Sequence, residues 1–422
     1  MTLHLASCQF VLMTICLSQS LANEEKAELH CHTDFPGGSA EVVSIDEIKQ
    51  HVQIRPRVTP GRGYPCNWYL CVEGIDPDRP LLLTVQKNLT PFQNDRVLDH
   101  SWSQPDRASL SYDNAVWQQT ELGIKEGDRI TYRVESKSST IWIAWGPPFH
   151  TSHLEALLSE ACKILPEAER FELAVTREGR SVQGIRFGCE STPNEPAYGV
   201  WVQARQHAWE WGSSWVGQGF LLWAISDDPV AQELRRTSTI HFIPIMDVDS
   251  AVQSLGGKDS IPRDHNRDWD NKPYYPEVAA AQQKILKLDQ AGQLDLFIDL
   301  HNPGPGDKKP FYFGPKMDSL DELQQRNYLF WVKVSSQFID SCESDYRFTS
   351  YIKNEEELNR VSSNWVRNHT QSHLVSTTLE TAWNRPEGNQ QGYQKVGREL
   401  GISIARYLQT NPRLKSNTSL EK

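Results

Sequence analysis

Among the 13 histidines of the chain only one stands in a His-x-x-Glu spacing, His207-Ala208-Trp209-Glu210. Such a pair can offer one neutral nitrogen and one carboxylate to a divalent cation. Hydrolytic zinc needs three protein ligands and an open position for water, and a His2Glu set leaves the ion a net charge near +1 with which to acidify that water. About one HxxE is expected by chance in a chain of this size, so its place matters more than its presence: it follows an apolar run, residues 199–205, that has the pattern of a strand. A second imidazole must come from elsewhere. His301 closes another apolar run, Leu296-Phe297-Ile298-Asp299-Leu300-His301, and two strand-end histidines can meet; taken alone it also reads as an ordinary loop histidine. His265 competes for the same role but ends no strand. Glu380 closes Ser376-Thr377-Thr378-Leu379-Glu380, where a core strand would not choose a carboxylate, which makes it a candidate general base. Asn266 and Arg267, inside Arg263-Asp264-His265-Asn266-Arg267-Asp268-Trp269, could grip an anion through the guanidinium fork, although by itself this stretch reads as a solvated charge run.

These residues must be positioned by strands and helices in alternation. Helical spacing covers residues 152–165, 213–226 (with Ser213 or Ser214 as N-cap), 276–289, 319–341 and 393–409. Strand patterns cover 199–205, 239–246, 294–300 and 374–379. This predicts a doubly wound α/β sheet with ligands outside the carboxyl ends of its strands. Ahead of it, residues 27–150 show short apolar and aromatic runs punctuated by turns, the pattern of an antiparallel β-sandwich. The expected division is therefore a sandwich over 27–150, a catalytic α/β domain over 151–410 and a frayed polar tail over 411–422. The 422 residues carry 43 Lys+Arg against 54 Asp+Glu, a net charge of −11, which argues against a nucleic-acid partner. No apolar run reaches the roughly 18 residues of a membrane span. Residues 1–22 hold an apolar centre followed by Ser20-Leu21-Ala22, the pattern of a secretory signal and hence of a secreted or periplasmic protein. Six cysteines remain beyond it, an even number compatible with an oxidising compartment. His30-Cys31-His32 could bind a metal, but its place near the chain start favours a loose terminal segment.

Five segments, HxxE after a strand, IPIMDVD at residues 243–249, RDHNRDW at 263–269, FIDLH at 297–301 and TTLETAW at 377–383, resemble in order and chemistry the zinc carboxypeptidases of the M14 type, most of all their cytosolic carboxypeptidase branch. The run Thr140 to His150 resembles the end of the β-sandwich that precedes the catalytic domain there. The resemblance implies one zinc ion held by His207, Glu210 and His301. It implies Glu380 as the base acting on water, and Asn266 and Arg267 as the clamp for the terminal carboxylate of a peptide or protein substrate. Arg360 resembles a pocket arginine that favours acidic terminal residues.

The chain departs from the family pattern at three places. An arginine usually found about ten positions before the carboxylate-binding one is absent, and Lys258 in Leu255-Gly256-Gly257-Lys258 is the available substitute. Asp247-Val248-Asp249-Ser250 replaces the Asn-Pro-Asp-Gly run, and the first motif lacks its usual Pro-Gly. Tyr351 is available for the tyrosine that often covers the substrate. A deacylase of small N-acyl amino acids on the same fold, or an inactive binding protein, are the competing readings.

Overall fold

The computed structural model describes residues 28–190 and 197–414. The apolar leader expected over residues 1–22 lies outside these, as does the tail beyond 414. Among the described residues no helix is long and apolar enough to cross a membrane.

Two five-stranded sheets occupy the N-terminal part. One runs His30–His32, Tyr69–Glu73, Thr140–Ala144, Ser109–Ser111, Gln118–Gln119; the other runs Glu41–Asp46, His51–Arg55, Leu81–Gln86, Arg129–Val134, Ile124–Glu126. Alternate residues such as Val52, Ile54, Ile130, Tyr132, Ile141 and Ile143 are buried between them, the period-two signature of sheets with one dry face. Pairing is antiparallel as expected, except that His51–Arg55 lies parallel to Leu81–Gln86. The His30–His32 segment is not loose: it pairs with Tyr69–Glu73, placing His30 opposite Glu73 and His32 opposite Cys71. That register also turns Cys31 and Cys71 to opposite faces, and Cys31, Cys66, Cys71, Cys162 and Cys342 are free thiols.

Beyond Pro148 the helix Thr151–Ile164 leads into a mixed eight-stranded sheet. Its order is Glu169–Val175, Ser181–Gly188, Ser238–Ile243, Tyr198–Ala204, Leu296–His301, Val375–Glu380, Phe311–Phe313, Tyr346–Arg347. Four neighbouring strands at its centre, from Ser238–Ile243 to Val375–Glu380, run parallel. Three of these are buried along their whole length, as strands covered by helices on both faces must be. The Ser238 strand stops at Ile243 rather than at residue 246 because Pro244 has no N–H to offer the ladder. The Trp211–Ala224 helix begins two residues before the expected serine cap: Ser213 donates its N–H to Asn302 Oδ1 (3.0 Å) and its hydroxyl to the Glu210 carbonyl (2.8 Å). It packs against the Gln390–Leu408 helix so closely that a Cβ on Gly397 would lie 1.9 Å from the Val216 carbonyl oxygen. Arg413, expected in a frayed tail, is instead held by the buried Asp295 carboxylate (2.6 and 2.7 Å), because that carboxylate needs a partner where water does not reach it.

The joint between the two halves is aromatic. Trp145 meets Trp383, Trp209 and Trp211 at 4.5, 5.5 and 6.2 Å between ring centres, and His150 stacks on Tyr69 at 5.6 Å. Burial holds the His150 imidazole at about 3, and its Nε2 has no partner. An unfolded imidazole takes up a proton near pH 6.5, so between that value and about 3 unfolding binds a proton and stability falls as pH is lowered. We expect His150→Asn to lose less unfolding free energy than the wild type between pH 7 and pH 5, by up to about 1.4 kcal/mol per pH unit below 6.5. Urea melts across that range check it; parallel pH profiles would count against it.

Candidate metal centre

Two sharp chain reversals at parallel strand ends build the centre. The Tyr198–Ala204 strand ends at Arg205, which adopts φ +62° although it is not glycine and is fully buried. Its guanidinium donates to the carbonyls of Ala208 (2.6 Å) and Phe149 (3.0 Å), locking the 206–210 turn to the segment that joins the two halves. Burial draws the Arg205 guanidinium down to about 9, against the pull of Glu210 and Asp247, so it stays charged at neutral pH. The turn delivers His207 and Glu210. The neighbouring Leu296–His301 strand ends on His301, whose register partner on the next strand is Glu380.

His207 Nδ1 lies 2.8 Å from Glu210 Oε1, and His301 Nδ1 lies 2.7 Å from Glu210 Oε2. The three donor atoms converge within 4.8 Å of one another, and all three residues are at most 3 % exposed. Burial alone would raise the Glu210 carboxyl, but His301 and His207 hold it down to about 2. Behind the donors, His207 Nε2 meets Asp264 Oδ1 at 3.0 Å and His301 Nε2 meets Asp299 Oδ2 at 3.1 Å. Imidazoles whose inward nitrogens share a carboxylate and whose outward nitrogens are fixed by further carboxylates are what a divalent cation requires, since the outer carboxylate sets tautomer and ring angle. The residues therefore fit a zinc ion. Asp299 is itself held by Ser362 Oγ (2.5 Å) and Gln206 Nε2. His265 is buried on the far side of Gln206, 3.2 Å from Glu277, and takes no part.

The centre opens into a cavity of about 430 Å³. Glu380 lines it with Oε2 buried and unpartnered. Burial first, and then the charge of Glu210, push its carboxyl up to about 7, against the pull of His301, Lys258 and His207. Asn266 and Arg267 also face the cavity. The Asn266 carboxamide is partly committed, its Oδ1 accepting from Ser362 N–H (2.9 Å) and its Nδ2 lying 3.2 Å from His301 Nε2. Arg267 contacts Glu357 at 3.2 Å. Lys258 reaches in between the rings of Tyr64 and Tyr351, 5.9 Å from each. Arg360 lies elsewhere, lining an adjoining cavity that shares Lys258, Arg267 and Tyr351 with the first.

Residues that sequence reasoning did not single out complete the wall. Arg347 lines the cavity but is already neutralised by Asp307 (2.6 Å) and Glu343 (2.5 Å). Tyr64 and Trp102 come from the N-terminal half. Residues 61–64 pair through the backbone with the Lys258 loop: Tyr64 N–H donates to Lys258 O (3.1 Å) and Gly257 N–H to Arg62 O (3.2 Å). A Cβ on Gly256 would lie 2.0 Å from the Tyr64 carbonyl oxygen, so the glycine pair before Lys258 was the one available sign of this docking.

With this geometry, the family relations are direct. The zinc carboxypeptidase model of peptidase family M14 matches residues 155–408, and the chain belongs to that family. An uncharacterised protein of Zymomonas mobilis is 25 % identical over 278 residues, 65 % of this chain and 67 % of its own length. Cytosolic carboxypeptidase 3 of Bos taurus is 25 % identical over 231 residues, 52 % of this chain but only 22 % of the relative, so the chain spans about a fifth of that protein. The crystal structure of a metallo-carboxypeptidase from Burkholderia cenocepacia shares the fold, with a TM-score of 0.77, 23 % identity and coverage of 91 % of this chain and all of that one.

Because Arg205 satisfies two buried carbonyls, Arg205→Met is expected to lower the unfolding free energy by about 2–4 kcal/mol and to weaken metal retention. Denaturant melts and elemental analysis check both; unchanged values would show the turn to be held by other contacts.

Proposed function

We propose that the chain is a metallocarboxypeptidase that hydrolyses the C-terminal peptide bond of peptides or proteins, with its catalytic domain over residues 151–410 behind an N-terminal β-sandwich over 27–150. The observation that carries this reading is the convergence of the two Nδ1 atoms on one buried carboxylate, beside a second carboxylate with a free oxygen. His207, Glu210 and His301 would hold one zinc ion, with Asp264 and Asp299 fixing the two rings; when bound, the ion would supply polarisation of the scissile carbonyl and acidification of water. Glu380, through its unpartnered Oε2, is the group placed to accept a proton from water and hand it to the leaving amine. Its burial and its free oxygen leave that carboxyl without a competing partner for the proton. Arg267, aided by Asn266, receives the terminal carboxylate and so sets which bond lies at the centre. Lys258 stands as the cation for the oxyanion. Burial works against its charge but Tyr351 and Asp264 more than offset it, so it remains an ammonium.

We expect Glu380→Gln to retain zinc while losing roughly 10²–10⁴-fold in kcat with little change in KM. Elemental analysis and peptide assays run together check this. Zinc retained with no release from any peptide, in the wild type itself, would favour the deacylase or binding-protein reading.

For specificity, we propose a preference for acidic terminal residues through Arg360. Support comes from its buried and unpartnered Nε and from its place in the adjoining cavity beside Lys258 and Arg267, where Arg96 and Arg263 are already paired with Asp259 and with Asp268 and Asp270. Peptides ending in Glu should be released faster than those ending in Lys or Phe, and Arg360→Gln should erase the difference. Faster release of Lys or Phe by the wild type would overturn this preference and leave the carboxypeptidase reading intact. The apolar centre of residues 10–17 supports export of the protein, secreted or periplasmic; N-terminal sequencing of the mature product tests it.

A further inference from the structure

A second group of side chains converges with metal-ligand geometry far from the catalytic cavity in sequence and outside its lining: His30, His32 and Glu73. It lies on the first sheet of the N-terminal half. Residues two apart on a strand share a face, and in an antiparallel ladder directly opposed residues do as well. His30 and His32 thus point the same way from their three-residue strand, and Glu73, opposite His30, points with them. His30 Nδ1 lies 3.9 Å and His32 Nε2 3.8 Å from the same carboxylate oxygen, Glu73 Oε2. The two rings stack at 5.5 Å between centres, and Phe35 meets His32 edge-on at 5.7 Å, which limits the ring's freedom. Separations of this size between donor atoms leave room for one ion at bond lengths of about 2.0–2.2 Å after small side-chain adjustments.

We propose that His30, His32 and Glu73 form a second divalent-metal site on the N-terminal sandwich. Two imidazoles and a carboxylate select a borderline ion of the Zn2+ or Cu2+ kind over Mg2+ or Ca2+, which take oxygen donors. Both histidines come from one edge strand and the carboxylate from its neighbour, so the ion ties the first strand of the fold to the sheet. The half-exposed rim leaves its remaining positions to water, and none of the three residues contributes to hydrolysis.

The test uses the full chain first loaded with Zn2+ by dialysis. The wild type should hold one metal equivalent more than His30→Gln/His32→Gln, whatever the occupancy of the catalytic centre, and both should hydrolyse peptide at the same rate. Cu2+ outranks Zn2+ at such donors, so one equivalent added to the zinc-loaded wild type should displace Zn2+ from this half-exposed site and give an electron paramagnetic resonance spectrum split by imidazole nitrogen, and the double variant should lack that splitting. Glu73→Gln should keep the nitrogen splitting but bind at least tenfold more weakly. Equal metal content in wild type and double variant, or the same copper spectrum in both, overturns the site.

Discussion

The centre depends on keeping one carboxylate, Glu210, ionised and away from water between two imidazoles that arrive on different strands. Burying a lone carboxylate is costly enough that it would take up a proton instead. Here His207 and His301 each approach one of its oxygens, and the balance tips to a strongly acidic group. The arrangement tolerates little error, because each imidazole answers to a further carboxylate behind it. Parallel pairing of the Tyr198–Ala204 and Leu296–His301 strands brings both motifs to the same, carboxyl end of the sheet. Pairing with Val375–Glu380 then sets Glu380 beside His301. Neither relation survives a slip of one residue, since that would turn every side chain of a strand to the opposite face.

Two carboxylates a short distance apart have acquired opposite characters from their surroundings. Glu210 faces two imidazoles and is held down to about 2, whereas Glu380 is pushed up to about 7, first by burial and then by the like charge of Glu210. The difference comes from the surroundings alone, since the residue type is the same.

What was legible in the sequence followed from local pattern. Strand-end placement of His207, His301 and Glu380 could be read because apolar runs end abruptly at polar residues there, and the α/β alternation came from the same periodicity. The details that escaped depend on residues distant in the chain. Ser213 is held by Asn302, 89 positions away, so the start of its helix could not be found by inspecting local caps. The outer carboxylates Asp264 and Asp299 sat inside quoted motifs but had no distinguishing signal of their own. Arg360 was reached by resemblance alone, and its position beside the cavity rather than within it depends on how the 347–363 segment folds back. Tyr64 and Trp102 escaped for the same reason: a turn-rich stretch of a sandwich gives no sign of its own that it will wall a site built by another domain, and the glycine pair before Lys258 is the one trace of the docking of Tyr64.

The aromatic joint has a consequence for how such a chain can be taken apart. Trp145 and Tyr69 lie on one side of it and Trp209, Trp211 and Trp383 on the other, and each ring contact is worth about 0.5–1.5 kcal/mol beyond the area it removes from water. The C-terminal half by itself would expose tryptophans next to the 206–210 turn and lose the backbone support that residues 61–64 give the Lys258 loop. The two halves are therefore not interchangeable modules. Evolution can retune the sandwich residue by residue, but transplanting either half onto a foreign partner would leave the cavity without the part of its wall that Tyr64 and Trp102 supply.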